Sequence, residues 1–251
     1  MSGILLEIKN LNKDFADQSG FKVHLLEDVS LNIEKEKITS VLAPRGAGKS
    51  TLLKIIAGLV SVEGNRFTGN DKSVIYIPSS PSSFPWLNTE ANIKYNLDSG
   101  SAADLKNIIS LVGLEGYENH YPVNESLGFR FRIALARSII RKPDLIILDE
   151  SFNPMSPEVK EEAYNLLLSV KRELNLTLLV GTSKITEAVL LSDVIYLMDK
   201  NPGRIIDRID NQLDSGRTTD IIAHDSFLNK RSEIETRIAG LIKHKFMDYS
   251  I

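Results

Sequence analysis

The chain has 251 residues, of which 42% are hydrophobic and 25% are charged, and its formal net charge at pH 7 is −3. This length is sufficient to bury a full α/β core. The slightly acidic balance argues against nucleic acid as the principal partner, because proteins that bind phosphate backbones carry clustered excess cations. The chain has no cysteine, which excludes disulfides, thiolate catalysis and cysteine-ligated metal sites.

The sequence predicts neither a membrane-spanning segment nor a secretion signal. It contains no run of about 18 apolar residues, the length that a spanning helix needs. The first residues, Met1–Ile4, lack the basic and then apolar order of a signal peptide. The four histidines do not have metal-ligand spacing, and we expect a cytoplasmic protein.

The first part of the chain predicts β-structure. Between Leu5 and Val41, short apolar runs alternate with turn-forming residues such as those at 17–20, which favours a layer of antiparallel strands. The run Ile38–Leu42 predicts a strand directly before a glycine-rich segment. A helix is expected after that segment, from Lys49 to about Val60.

The glycine-rich segment Ala43–Thr51, between this strand and this helix, has the pattern of a phosphate-binding P-loop. Small residues let the backbone curl so that consecutive N–H groups face an anion, and the positive helix N-terminus near Gly48 adds to the attraction. Lys49 supplies a charge that reaches the terminal phosphates. Ser50 offers a hydroxyl to Mg²⁺, and Thr51 offers one to phosphate.

The predicted nucleotide-binding residues of this segment are Pro44, Arg45, Gly46, Ala47, Gly48, Lys49, Ser50 and Thr51. The first glycine of the usual pattern is Ala43 here, and we expect a slightly tighter or shifted loop because alanine avoids positive φ. The alternative interpretation is a glycine-rich turn that caps an ordinary helix.

The middle of the chain predicts a helical insert. A turn-rich connector at 64–71 precedes a strand at Ser73–Ile77, and the proline- and serine-rich stretch Pro78–Pro85 has no regular structure. Helical spacing in Asn88–Val112 and Glu125–Ile140 indicates a helical subdomain.

A short apolar run, Leu145–Leu148, predicts a buried parallel strand that ends in two carboxylates. Ligands bind at the carboxyl ends of strands in open α/β sheets. Asp149 would hold Mg²⁺ through its water shell, and Glu150 would be the general base for the attacking water. The alternative is a strand that ends in a solvated acidic turn.

The last hundred residues predict a helix at Pro157–Leu174, strands at Leu176–Gly181 and Val194–Met198, and a helical tail from about Asp225. Lys243–Lys245 is expected to be a solvated helix end. The apolar residues of the tail, which are expected to dock on the core, are Phe227, Leu228, Ile234, Ile238, Leu241 and Ile242.

The segment Tyr121–Ser138 resembles the signature region of the ATP-binding subunits of ABC transporters. The family pattern is Y-P-x-x-L-S-G-G-[QM]-x-Q-R-x-A-[IL]-A-R-A. Asp199–Asp207, Phe84–Leu87 and Glu90–Ile93 are similar to the nitrate, sulfonate and taurine importer branch, and the resemblance runs from about residue 5 to about residue 241. The chain keeps Tyr121, Pro122, Ser126, Gly128, Arg132, Ala134, Ala136 and Arg137 of the pattern.

The resemblance implies an α/β fold, a P-loop NTPase of ABC type with a mostly parallel core sheet, an antiparallel β layer and a helical subdomain. It implies one ATP-binding domain over residues 1–251, with the helical subdomain at about 80–140 and a C-terminal extension at about 205–251. ATP and Mg²⁺ are the implied cofactors. Two ATP-binding subunits would pair head-to-tail, with ATP between the P-loop of one protomer and Ser126 and Gly128 of the other.

The resemblance also implies that Phe15 stacks on adenine, because the family has an aromatic residue at this position. The alternative for Phe15 is burial in the core.

Four motifs depart from the family pattern. The glutamine that contacts Mg²⁺ and water is Ser79 here, the switch histidine is Ser183 and the D-loop aspartate is Ser156. The signature reads E-S-L-G-F at Glu125–Phe129, which adds a negative charge and a bulky Leu127 near the triphosphate. We expect good ATP binding and slow hydrolysis, because losing a positioned catalytic group costs about 10²–10⁴-fold in rate. A local shift, such as Lys184 reaching the γ-phosphate, is the alternative.

These features predict an ATP-binding, weakly hydrolysing subunit that energises or regulates an ABC importer. It would be peripheral on the inner face of the cell membrane and would contact the membrane subunit through the surface from Ser79 to Ile93. One alternative is a non-hydrolysing regulatory subunit paired with an intact ATPase. Another is a soluble ATP-dependent switch without a transporter. The transported solute and the choice between homodimer and heterodimer stay open.

Overall fold

The computed structural model describes residues 3–16, 20, 22–62, 67–68, 71–81, 83–97, 102–213 and 216–247. The expected turn at 17–19 and most of the connector at 64–71 lie outside the described residues. The same is true of the side chains of Leu241, Ile242 and Lys243–Lys245.

The described residues form nine strands and seven α-helices, with short 3₁₀ helices at Pro122–Asn124 and Thr219–Ala223. The strands are β1 (Ile4–Ala16), β2 (Lys22–Glu34), β3 (Ile38–Leu42), β4 (Phe67–Thr68), β5 (Val74–Ile77), β6 (Leu145–Asp149), β7 (Leu178–Thr182), β8 (Val194–Met198) and β9 (Ile205–Asp210). The helices are α1 (Lys49–Ile56), α2 (Thr89–Lys94), α3 (Ala102–Leu111), α4 (Leu127–Ile139), α5 (Pro157–Leu174), α6 (Ile185–Leu191) and α7 (Asp225–Met247).

Six strands form the larger sheet in the order β5-β6-β7-β3-β8-β9. Every neighbouring pair is parallel except β8 with β9. All residues of β3, β6, β7 and β8 are buried, which explains their nearly continuous apolar sequences, since parallel strands are covered on both faces. Because β3 and β6 flank β7, the loops that follow them meet at one edge of the sheet.

A second sheet has the order β2-β1-β4 and is antiparallel. Its apolar face, which includes Leu11 and Leu26, packs in one cluster with Leu52 and Leu53 of α1. The predicted antiparallel layer is therefore confirmed for β1 and β2. The expectation was wrong for Ile38–Val41, because β3 pairs in parallel with β7 and β8 in the middle of the larger sheet.

The helices differ from the sequence predictions mainly at their ends. Helix α5 has the predicted bounds, and so does strand β8. α1 stops at Ile56 instead of Val60, since Gly58 has a φ of 71° and turns the chain. The predicted helix over 88–112 divides into α2 and α3, because Asn96 adopts a left-handed φ of 57° directly after α2.

The tail helix α7 docks on the core as predicted. Phe227 and Ile234 are fully buried in the larger hydrophobic cluster, and Ile238 packs against it. Leu228 is 46% exposed and was wrongly expected to dock. Within the described ranges, no helix is both long and apolar enough to cross a bilayer.

Candidate nucleotide-binding site

The P-loop leaves β3 at Leu42 and enters α1 at Lys49. Gly46 and Gly48 have φ values of 81° and 88°, in the left-handed region that glycine adopts without strain. Gly48 also lies against β2, since a Cβ there would be 2.7 Å from Leu26 Cδ2. Ala43 is not among the residues with positive φ, so alanine at this position fits the loop.

The tip of this loop projects outward, while its end is buried. Pro44, Arg45 and Gly46 are exposed, whereas Ala47 and Lys49 are buried. The expected strand–loop–helix geometry is present, with the N-terminus of α1 at the loop. The loop can therefore present its amides and the start of α1 to an anion.

A hydroxyl and a carboxylate meet beside the loop. Ser50 Oγ donates to Asp149 Oδ1 at 3.1 Å, and Asp149 is 4% exposed. The hydroxyl of Tyr76 on β5 donates to Asp149 Oδ2 at 2.6 Å. Burial, followed by the Asp149 carboxylate, raises the pKa of Tyr76, so that this phenol remains a donor.

This oxygen donor set fits Mg²⁺, which prefers one or two carboxylates together with water and substrate phosphates. In the described part of the chain, no three histidine, cysteine, aspartate or glutamate side chains cluster as a metal site. Ser50 and Asp149 would thus hold the ion together with ligands that the nucleotide and water supply.

Lys49, which is expected to bind phosphate, pairs with Glu150, the predicted base. Their Nζ and Oε1 atoms are 2.6 Å apart, and their side chains are only 6% and 13% exposed. The other carboxylate oxygen, Oε2, accepts from Asn153 Nδ2 at 2.6 Å and from Ser183 Oγ at 3.4 Å. If Lys49 binds a triphosphate, it must first turn away from Glu150.

Glycine at position 181 makes room for both Leu53 and Lys49. A Cβ on Gly181 would overlap Leu53 Cδ1 and lie 3.2 Å from Lys49 Cδ. Sequence analysis assigned no role to Gly181, Tyr76 or Asn153. Of these three residues, only Asn153 could have been found from the local sequence, because it follows Glu150 by three residues. Its backbone amide donates to the Glu150 carbonyl at 3.0 Å and closes a turn.

Three serines stand where the family pattern has a glutamine, an aspartate and a histidine, and they lie in different surroundings. Ser183 reaches Glu150, as described above, whereas Ser79 and Ser156 are exposed. Ser151, fully buried, donates to the Ile77 carbonyl at 3.1 Å and so ties the Glu150 loop to the strand before Ser79. The side chain of Lys184 is exposed, and its amide donates to Thr182 Oγ1 at the start of α6.

The signature residues lie at the start of α4. Ser126 is exposed, and as the N-cap its Oγ accepts from the Phe129 amide at 3.2 Å. Gly128 is buried, and a Cβ there would lie 2.6 Å from Val159 Cγ1 on α5. Leu127 is partly buried and packs against the larger core cluster. No hydrogen bond within the described ranges joins Ser126 or Gly128 to the P-loop of the same chain.

Phe15 is 42% exposed, which excludes its burial in the core. Lys13 Nζ lies 5.2 Å from the centre of its ring. Phe15 pairs with Val23 on β2, two residues before the segment of β2 that contacts Gly48. The ring is therefore accessible to a ligand, on the strand pair whose β2 residues Leu25 and Leu26 lie against Gly48.

A further buried carboxyl lies on α6. Glu187 is 3% exposed, and its Oε2 accepts from the Tyr164 hydroxyl at 3.0 Å, while Oε1 has no hydrogen-bond partner. Burial raises the pKa of Glu187 to about 7, and the negative charge of Glu150 acts in the same direction. Hydrogen bonds from Tyr164 and Thr182 oppose this shift.

The sequence and the fold both match known proteins. The profile of the ABC transporter family matches residues 26–153. The chain is 33% identical to the aliphatic sulfonates import ATP-binding protein SsuB of Bacillus cereus, over 95% of this chain and 98% of that protein. It is 31% identical to the taurine import ATP-binding protein TauB of Pelagibacter ubique, over 92% and 93% of the two chains.

The fold is similar to that of the dimeric structure of MJ0796, a bacterial ABC transporter cassette. The TM-score is 0.68 at 22% identity, and the match covers 83% of this chain and 100% of that one. The predicted fold class, a mostly parallel α/β core with an antiparallel layer and helices, is confirmed. With a matching family profile and relatives of this identity over nearly its whole length, the chain belongs to the ABC transporter family.

Proposed function

We propose that this protein is the ATP-binding subunit that energises or regulates an ABC importer. The observation that carries the proposal is the meeting of Lys49 and Ser50 on α1 with Asp149 and Glu150 at the end of β6. In this group the proposed phosphate-binding cation contacts the proposed carboxylate base, and the two proposed metal-binding residues contact each other. The import ATP-binding relatives, matched over nearly their whole length, support an importer as the partner.

ATP binds with its phosphates in the P-loop, residues 44–51, and with its adenine against Phe15. Ser50 and Asp149 would hold Mg²⁺, which would neutralise part of the phosphate charge. Lys49 moves from Glu150 to the phosphates, and this movement frees one Glu150 oxygen for the attacking water.

Hydrolysis is slow in this proposal, because the γ-phosphate has few side chains to sense it. Ser183 is too short to replace a histidine, and its hydroxyl does not titrate near neutrality. Glu150 is also engaged on both oxygens, by Lys49 on one and by Asn153 on the other. A base that is held in this way accepts a proton from water only after rearrangement.

The membrane subunit docks on the surface from Ser79 to Ile93. Trp86 is 70% exposed on this surface, and its ring lies 5.5 Å from that of Phe84. The Phe84 ring in turn packs 4.4 Å from Tyr95 and beneath the guanidinium of Arg137. An exposed aromatic residue on a rigid base is a typical anchor of protein interfaces, and this docking places the subunit on the inner face of the membrane.

The whole chain, residues 1–251, forms one ATP-binding domain in this proposal, with a helical subdomain at about 80–140 and a C-terminal extension at about 205–251. Two such subunits pair head-to-tail, and Ser126 and Gly128 of one complete the nucleotide site of the other. Ser126 is exposed and makes no hydrogen bond to the P-loop among the described residues, which supports a site that is built from two chains.

The test is the ATPase rate of the purified chain, measured alone, with its candidate membrane subunit and with a candidate second ATPase. A slow rate that the membrane subunit stimulates, and that Glu150→Gln abolishes, supports the proposal. Stimulation that survives Glu150→Gln but needs an intact second ATPase supports the regulatory alternative. ATP binding without any response to membrane subunits supports a soluble switch.

A further inference from the structure

We propose that Asn92 and Arg137 are positioning residues, which hold the loop Phe84–Asn88 in the shape that docks the membrane subunit. We call this segment the aromatic loop. The inference rests on the docking surface of the proposed function and names the groups that fix its shape. It arises from a buried asparagine whose side chain hydrogen-bonds both to the backbone of this loop and to an arginine on α4.

The side chain of Asn92, on α2, ties the two ends of the aromatic loop together. Asn92 is fully buried, and its Oδ1 accepts from the Phe84 amide at 2.7 Å. Its Nδ2 lies within hydrogen-bond distance of three loop carbonyls, which are those of Phe84 at 3.0 Å, Leu87 at 2.8 Å and Asn88 at 3.1 Å. A buried amide is costly unless its hydrogen bonds are made, so the loop backbone and Asn92 fix each other.

Arg137, near the end of α4, contacts both Asn92 and the aromatic loop. Its Nε donates to the Asn92 carbonyl at 2.8 Å, and one of its terminal nitrogens donates to Asn92 Oδ1 at 2.7 Å. Its guanidinium carbon lies 5.1 Å from the centre of the Phe84 ring, within the range of a cation–π contact. A planar fork reaches two acceptors and an aromatic face at the same time, whereas an ammonium group is a point charge.

These contacts set the position of Trp86, the most exposed side chain of the aromatic loop. Its ring packs on that of Phe84, which Arg137 holds, and its backbone lies between the two loop carbonyls of Phe84 and Leu87 that Asn92 binds. A loop that is ordered before binding loses less conformational entropy when a partner docks. Asn92 and Arg137 therefore strengthen docking although neither of them has to touch the partner.

The first test is made on the purified chain, where Trp86 is the only tryptophan and reports on the aromatic loop directly. Asn92→Ala should lower the residual fluorescence anisotropy of Trp86, and it should speed chymotrypsin cleavage after Trp86 at least about tenfold, because it removes the hydrogen bonds that close the loop. Arg137→Lys keeps the charge but loses the fork, and it should act in the same direction by a smaller factor. The double variant should be cleaved no more than about twofold faster than Asn92→Ala, since both changes remove the same contact.

Two control variants separate this local effect from a general loss of stability. Ile234 is fully buried on α7, which packs on α6, so Ile234→Ala weakens the fold at a different place. Asn107→Ala makes the same substitution as Asn92→Ala on the exposed face of α3. Both controls should leave the anisotropy and the cleavage rate at Trp86 at wild-type values. If Asn92→Ala does not fold, Arg137→Lys carries the same comparison.

The second test uses the membrane subunit that stimulates the wild-type ATPase rate. The concentration of this subunit needed for half-maximal stimulation should rise in Asn92→Ala at least about tenfold more than the KM for ATP does. An aromatic loop that keeps its wild-type signals in both variants, signals that Ile234→Ala reproduces, or a loosened loop with unchanged stimulation would overturn the inference and leave the proposed function intact. If no membrane subunit stimulates the wild type, the proposed function is overturned, and the Trp86 measurements still decide whether Asn92 and Arg137 hold the loop.

Discussion

Glu150→Gln should strengthen ATP binding while it weakens the nucleotide-free fold. In the structure, Lys49 Nζ is 2.6 Å from Glu150 Oε1, and ATP must separate this pair to reach the lysine. Glutamine has nearly the same size as glutamate, but it is neutral and cannot form an ion pair with Lys49. It also removes a negative charge that would face the γ-phosphate.

The burial of the pair sets the size of the effect. Side chains that are 6% and 13% exposed are poorly screened by water, so the interaction is stronger than that of a surface ion pair. A hydrogen bond to a charged group contributes about 1.5–3 kcal/mol, which corresponds to about a 10–150-fold change in affinity. The free energy of unfolding should fall by a similar amount, because Lys49 loses the partner of its buried charge.

The measurements are isothermal titration calorimetry with a non-hydrolysable ATP analogue and urea unfolding without nucleotide. The analogue ensures that lost hydrolysis does not imitate tighter binding. Asn153→Ala is the control, since it removes the hydrogen bond to the other oxygen of Glu150 and leaves the contact with Lys49. If Glu150→Gln binds the analogue no more tightly than the wild type, Lys49 is not held back by Glu150 and the reasoning is refuted.

The remaining predictions concern other parts of the site. Lys49→Ala should weaken Mg-ATP binding by about 2–3 kcal/mol, measured by calorimetry, through the loss of a charge-assisted contact. Ser183→His should raise the steady-state ATPase rate more than it changes ATP affinity, and a change in affinity alone would contradict this. Gly128→Ala should destabilise the fold by about 1–3 kcal/mol in urea through overpacking, and Val159→Ala in the same chain should relieve this, since the added Cβ would lie 2.6 Å from Val159 Cγ1. Because the pKa of Glu187 is raised to about 7 in the folded state from its ordinary value of 4.5, the folded state binds an additional proton, and its stability should decline as pH rises from about 4.5 to about 7. Glu187→Gln should abolish that decline in urea unfolding curves recorded across this pH range.

Local sequence patterns predicted an element correctly where one local property, such as an apolar run or the φ of a glycine, decides its structure. Apolar runs predicted β6, β7 and β8 because a strand that is covered on both faces has no polar alternation to obscure it. Helical spacing of the apolar residues predicted α5 with both of its ends. The P-loop was predictable because its glycines are needed by the local backbone conformation, as the φ values of Gly46 and Gly48 show.

Tertiary contacts decided the features that depend on distant parts of the chain. Nothing near Ile38–Leu42 shows that this strand lies in the middle of the parallel sheet, because its partners are more than a hundred residues away. Tyr76 contacts Asp149 and Gly181 makes room for Lys49 through sheet register and packing, which no local pattern encodes.

The sequence by itself therefore determined the family resemblance, the position of the glycine-rich loop and most of the elements, because these follow from local residue types and their spacing. Only the tertiary structure decided that Lys49 is paired with Glu150, since that contact joins residues 101 positions apart across the edge of the sheet. It also decided that Phe15 is exposed rather than buried, because solvent exposure depends on what the rest of the chain leaves uncovered.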